Sequence, residues 1–244
     1  MACGHNCPIK KSKRPYSGYR YPAEIISQAV WLYFRFTLSF RDVDELLAAR
    51  GITVTYETIR QWCLKFGQGF ANTIRRRQGR PGDTWYLDGV YIKMNREQHY
   101  LWRGVDQDGD VLDIMVQKRR DKRAAKRFFR KLLKGLCYCS REMVTDKLGS
   151  YGAARRDFMP SVEHEKWKRE NNRAEVSHQP TRQQERQMRP FKSHRHAQRL
   201  LSAHGPINNL FRIGWHLLKA SHYRELCDRS FATWNEMSHV QKAP

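Results

Sequence analysis

The chain has 244 residues, with 46 Lys and Arg against 24 Asp and Glu and a formal net charge of +22. That length suits one full-sized domain and a smaller one at roughly 150 residues each, which excludes a small disulfide-stapled scaffold, and 40% hydrophobic and 12% aromatic residues exclude wholesale disorder. So large an excess of one sign repels itself and points to a polyanionic partner, nucleic acid first. The longest uncharged apolar stretch, Ile25 to Phe34, falls far short of the about 20 residues that span a membrane. No apolar run follows the basic N-terminal residues as it does in a signal peptide, so a cytoplasmic protein with no membrane partner is expected. Cys3, Cys7, Cys63, Cys137, Cys139 and Cys227 then read as free thiols. Cys3, His5 and Cys7 lack the further ligand pair that a tetrahedral zinc site needs.

Residues 1–20 carry Lys10, Lys11, Lys13, Arg14 and Arg20 with Pro8 and Pro15 and no acid, and are expected to form a basic flexible arm. Residues 21–74 read as three helices. Ile25, Ile26, Ala29, Val30, Tyr33 and Phe34 recur at helical spacing. Ser39 with Asp42 three residues on has the pattern of a capping box, and Gly51 closes that helix. Thr55 caps a third helix carrying Ile59, Trp62, Cys63 and Phe66, with Gly67 expected to end it. These lengths match a helix-turn-helix whose last helix lays its N-terminal residues in the major groove; a purely structural three-helix bundle is the alternative. The exposed positions of that helix would be Tyr56, Glu57, Arg60, Gln61 and Lys65. Residues 75–82, with Arg75, Arg76, Arg77, Arg80, Gly79, Pro81 and Gly82, read as a basic linker.

Beyond the linker the period changes. Trp85 to Lys93, Gln98 to Val105 and Val111 to Gln117 are rich in aromatic and β-branched residues and read as strands. Asp108-Gly109 is a hairpin turn signal; a calcium loop is excluded by Val111 and Gln117 at positions that require Gly and Glu. Residues 118–135 hold ten Lys or Arg and one acid, with Ala125, Phe128, Phe129, Leu132 and Leu133 on one stripe, an amphipathic helix with a cationic back. Met143 to Thr145, Tyr151 to Phe158 and Val162 to Trp167 then read as strand, helix and strand. Asn171-Asn172 caps a helix carrying Glu175. The expected fold is α/β: a mixed sheet with flanking helices over residues 83–220, in the element order of the ribonuclease-H-like fold, preceded by the all-α unit and followed by a tail at 221–244.

Three acids stand where a sheet concentrates charge: Asp88 within an apolar strand, Asp146 at the end of a short one, and Glu175 in a first helical turn. A site for two metal ions needs carboxylates from different elements converging on ions about 4 Å apart. A charge buried mid-strand is costly unless a cation or donor meets it.

The segments Tyr86-Leu87-Asp88-Gly89-Val90-Tyr91-Ile92-Lys93, Tyr100-Leu101-Trp102-Arg103-Gly104-Val105-Asp106, the run Arg120 to Phe129, Thr145-Asp146-Lys147 and Asn171-Asn172-Arg173-Ala174-Glu175 together resemble the DDE transposases of bacterial insertion sequences, of the IS-six type. The resemblance extends over roughly residues 15–215. It implies an integrase-like core with Asp88, Asp146 and Glu175 as catalytic and metal-holding triad, and Mg²⁺ as cofactor with Mn²⁺ as substitute. It further implies 3′-end cleavage and strand transfer into target DNA by a replicative, cointegrate-forming route. Between Asp146 and Glu175 lie 28 residues, fewer than in the family pattern; Glu185 is the rival and lacks the Asn-Asn-Arg lead-in. The family's basic residue beyond the Glu falls on Arg182. Expected DNA contacts are Tyr56, Arg60, Gln61, Lys65, Arg75, Arg76, Arg77, Arg123, Arg127, Lys147, Arg173 and Arg182. Expected partners are the terminal inverted repeats, target DNA and further copies of the chain, as a homodimer or larger assembly. The other function classes are a non-catalytic helix-turn-helix regulator and a nuclease of the same core that cleaves without joining.

Overall fold

The computed structural model describes residues 15–36, 38–145, 149–165, 191–213 and 218–238. Helix α1 (Ala23–Arg35) buries Ile26, Ala29, Val30, Tyr33 and Phe34 on one stripe. Helix α2 (Phe40–Ala48) opens on the full capping box, with Ser39 Oγ accepting from the Asp42 N–H and the Asp42 side chain accepting from the Ser39 N–H. After it, Gly51 takes φ +76°, a left-handed turn that costs glycine nothing.

Helix α3 starts at its Thr55 cap but runs from Tyr56 to Arg77, ten residues beyond the expected stop at Gly67. Gly67 serves packing there: a Cβ at this position would lie 2.5 Å from Phe34 Cε2. The basic stretch expected as a linker therefore begins as the last turn of α3.

The strands are β1 (Thr84–Met94), β2 (Glu97–Asp106) and β3 (Val111–Gln117), followed by α4 (Lys122–Leu136), β4 (Glu142–Thr145), α5 (Gly149–Phe158) and β5 (Glu163–Glu165). Asp121 caps α4 by accepting from the Ala124 N–H. The sheet order is β3-β2-β1-β4-β5, with β1, β2 and β3 antiparallel and β4 and β5 parallel to β1. This is the ribonuclease-H-like mixed sheet. Asn95 and Arg96, both at positive φ, turn β1 into β2 with Met94 opposite Glu97, the backbone of a two-residue hairpin matched to strand twist.

One face of the sheet packs Trp85, Leu87, Trp102 and Met115 against Ala125, Phe128, Phe129 and Leu132 of α4 and Tyr151 of α5. The other face packs Ile92, Leu101, Ile114 and Val116 against helix α6 (His194–Leu210), whose far side meets α3 and α1. Helix α6 also covers the exposed edge of β3. Gln198 Oε1 accepts from the Val116 N–H at 2.8 Å, and Asn209 accepts from and donates to Val111 at 3.0 Å. Side chains thus occupy backbone groups that would otherwise template another strand. The segment expected as a tail contains helix α7 (Ala220–Met237). Its buried Trp234 donates to Ser27 Oγ at 2.8 Å, tying it to α1.

Candidate active site and nucleic-acid interface

Asp88 sits in the middle of β1, 8% exposed, and its Oδ1 accepts from the Gly89 N–H at 2.7 Å. Side chains alternate along a strand, so Asp88 shares the face of Ile92 and Met94, the face covered by α6. Its partner across the ladder is Arg103 of β2. On the parallel side, β4 ends at Thr145, in register with Leu87, the residue before Asp88. Asp146, Lys147, Arg173, Glu175 and Arg182 lie outside the described residues, as do Cys3, His5 and Cys7 and the rival Glu185.

By donor chemistry Asp88 fits a metal ligand, being a buried, hard carboxylate of the kind Mg²⁺ prefers. Among the described residues, no three His, Cys, Asp or Glu side chains are grouped to hold an ion, so the fit extends to one expected ligand.

Around Asp88 the sheet face is polar in ways the sequence reading missed. Burial, with Arg212 nearby, lowers the Arg103 guanidinium to about 9. Burial, then Arg103 and Arg35, lowers His204 of α6 to about 3, so this imidazole is neutral. Its Nε2 accepts from Asn208 Nδ2 at 2.9 Å, and Asn208 Oδ1 accepts from Arg35 at 3.3 Å. A chain of polar contacts thus runs from α6 to α1 beneath the sheet. On the opposite face, a Cβ at Gly89 would stand 3.4 Å from Arg120 Nε and 3.6 Å from the Tyr151 hydroxyl. The one legible signal was an arginine inside the apolar run Leu101 to Val105; His204, Asn208 and Tyr151 join only through tertiary packing.

In the helical unit, Tyr56 is 46% exposed with the Arg41 guanidinium 5.4 Å from its ring centre. Arg60 forms a two-pronged ion pair with Glu57 at 2.6 and 2.8 Å, and this pair holds both side chains on the outer surface of α3. Gln61 and Lys65 are exposed, Lys65 with its ammonium 4.7 Å from the Tyr19 ring centre. Arg75 is engaged inside the protein, donating to Asp113 at 3.4 Å and to the Ser202 carbonyl at 3.2 Å. Arg76 is exposed and bonds the Asn72 carbonyl, and Arg77 pairs with Glu236 at 3.0 Å. Arg123 and Arg127 are exposed on α4, Arg127 donating to Gln117 at 3.2 Å.

Residues 82–213 match a family model described as a DDE domain. The chain is similar to the transposase for insertion sequence-like element IS431mec of Staphylococcus aureus strain Mu50, 33% identical over 111 residues that make up 46% of this chain and 50% of that protein. It is also similar to the transposase for insertion sequence element IS257 in transposon Tn4003 of Staphylococcus aureus, 32% identical over the same shares. The chain spans about half the length of the curated relatives it matches. Among solved structures it is similar to the trimeric form of the HTLV-2 integrase catalytic core domain in complex with magnesium, with TM-score 0.33 and 14% identity over 40% of this chain and 64% of that one. The simian T-cell lymphotropic virus intasome in complex with the PP2A regulatory subunit B56 gamma aligns with TM-score 0.43 and 14% identity over 82% of this chain and 72% of that one. With a DDE domain matched over more than half its length and relatives among insertion-sequence transposases, the chain belongs to the DDE transposases of the IS-six type.

Proposed function

We propose that the chain is an insertion-sequence transposase that binds the terminal inverted repeats of its element, cleaves at their 3′ ends and joins those ends to target DNA, forming a cointegrate. The β1–β4 register carries this reading. Thr145 stands opposite Leu87, one peptide step of about 3.8 Å leads to the next residue, and neighbouring strands lie about 4.8 Å apart. The strand that ends beside Leu87 thus leads, in the sequence, directly into Asp146. Asp88 and Asp146, with Glu175, would hold a Mg²⁺ pair, Mn²⁺ substituting.

When bound, such a pair supplies charge stabilisation for the attacking and leaving oxygens of an in-line phosphoryl transfer. Water attacks the phosphorus at the element end and the bond to the 3′ oxygen breaks, leaving a 3′ hydroxyl. That hydroxyl then attacks a target phosphodiester and displaces the target's own 3′ oxygen. The protein's part is to hold the reacting groups in line, which accounts for a site built into a rigid sheet. Tyr56, Arg60, Gln61 and Lys65 present the exposed surface of α3 for base edges. Arg76, Arg77, Arg123 and Arg127, with Lys147, Arg173 and Arg182, supply charge for backbone phosphates, and Arg75 orients the end of α3 from within. The reaction takes place on DNA in the cytoplasm, with two element ends held by at least two copies of the chain. No helix among the described residues is long and apolar enough to cross a membrane.

The test is a strand-transfer assay with a terminal-repeat duplex, Mg²⁺ and the Asp88→Ala, Asp146→Ala and Glu175→Ala variants. Joined product from the wild type alone supports the reading. Cleavage without joining supports the nuclease, and repeat binding unaltered by any change of divalent ion or triad residue, with no cleavage, supports the regulator.

A further inference from the structure

Helix α4 carries seven Lys or Arg in fifteen residues and no acid. Apart from the exposed Lys122 at the start of the helix, they divide into two sets by direction. Lys126 pairs with Asp157 of α5, and Lys131 with Asp113 of β3 at 2.6 Å; these flank the helix and are compensated within the fold. Arg123, Arg127, Arg130 and Lys134 are exposed at spacings of four, three and four, so at 3.6 residues per turn they fall on one narrow stripe. That stripe points directly away from Ala125, Phe128, Phe129 and Leu132, which are buried against the sheet. Its length along the axis is about 16 Å, enough to follow several phosphates of a duplex, which are spaced about 3.4 Å along the axis on each strand. A surface helix built for solubility alone mixes both signs.

This stripe and the exposed end of α3 cannot serve one straight segment of DNA. Helix α4 lies on one face of the sheet; α6 lies on the other, with α3 beyond it. Away from the Arg75 end of α3, stacked layers of about 10 Å each put roughly 30 Å between the two helices. Arg75, near the C-terminal end of α3, does approach α4 through Asp113, but Tyr56 is about 30 Å away along the helix. DNA is stiff over about 150 base pairs, so a duplex read by Tyr56 and Arg60 runs past the opposite side of the sheet from the stripe.

We propose that Arg123, Arg127, Arg130 and Lys134 form a separate track for the phosphate backbone of the target duplex, while α3 engages the element end. This rests on the transposase reading given above and adds which of its two DNA substrates the face serves. The contact is to phosphates, so the track is indifferent to sequence and its affinity falls steeply with salt.

The experiment uses the full chain and a variant with Arg123→Gln, Arg127→Gln, Arg130→Gln and Lys134→Gln together. Glutamine is a good helix former, and a melting curve checks that the variant folds. With an uncleaved repeat end and a supercoiled plasmid as target, the ratio of strand transfer to end cleavage is expected to fall at least tenfold. Direct binding of a repeat-free duplex, which requires no catalysis, is expected to fall at least tenfold as well, with a shallower salt dependence. If that binding is retained, the track is overturned, whether or not the wild type proves to be a transposase. A ratio held at the wild-type value while cleavage and transfer fall together also overturns it, because the stripe would then serve the element end. An equal loss of affinity for anionic vesicles with duplex binding retained would assign the face to a lipid surface instead.

Discussion

Arg75 donates from Nη2 to the carbonyl of Ser202 at 3.2 Å, and the reason lies four residues further along α6. Pro206 is inside that helix and has no N–H, so the Ser202 carbonyl lacks its helical donor. Arg75 supplies one from α3, and the same nitrogen reaches Asp113 at 3.4 Å. An arginine that composition assigns to DNA thus repairs a helix defect. Arg75→Ala is expected to destabilise the fold by about 1–3 kcal/mol, the cost of leaving buried polar groups unpaired. Restoring the N–H by Pro206→Ala is expected to reduce that cost; denaturant titrations of the two single variants and the double variant measure the coupling.

Gly67 is needed for space. Its position would bring a Cβ to 2.5 and 2.8 Å from two ring carbons of Phe34, a side chain only 3% exposed with little room to yield. Gly67→Ala gains about 1 kcal/mol of helix propensity and loses about 1–3 kcal/mol to overpacking. The expected outcome in a thermal melt is a lower Tm, whereas Gly69→Ala, with nothing within 4 Å of its Cβ, is expected to raise it.

The β2–β3 turn carries its own pH dependence. Burial, and then Asp106, raise the Asp110 carboxyl to about 6 from an ordinary 3.8, Arg212 opposing and Asp108 adding. The folded protein therefore holds this proton more tightly than the unfolded chain does. Its contribution to stability is fully present below 3.8 and is lost as pH rises to about 6. Asp110→Asn removes that loss, so the variant is expected to be more stable than wild type by about 1–3 kcal/mol above this window, and no more stable below it. Unfolding curves across the window check the sign.

What the sequence disclosed depended on how local each signal was. The Ser39–Asp42 box, the Thr55 cap and the Asp108-Gly109 turn are written in neighbouring residues, and each appears in the structure. The mixed sheet of the ribonuclease-H-like fold followed from element order because few topologies satisfy it. Gly67 misled because a glycine that ends a helix and a glycine that admits a ring look alike in one dimension. The Asn95-Arg96 turn was silent, since Arg is not a residue that favours positive φ. Asp88 was legible as a charge in an apolar strand. Arg103, His204 and Asn208 meet only when α6 folds back on the sheet, and no spacing announces that.

The account rests on carboxylates from separate elements gripping one pair of ions. Binding of Mn²⁺ to the full chain, followed by the loss of its free-ion paramagnetic resonance signal, reads this without DNA or catalysis. The prediction is two ions per chain for the wild type and weakened binding in each of Asp88→Asn, Asp146→Asn and Glu175→Gln, with melting curves unchanged. Wild-type binding that none of the three substitutions weakens would contradict it.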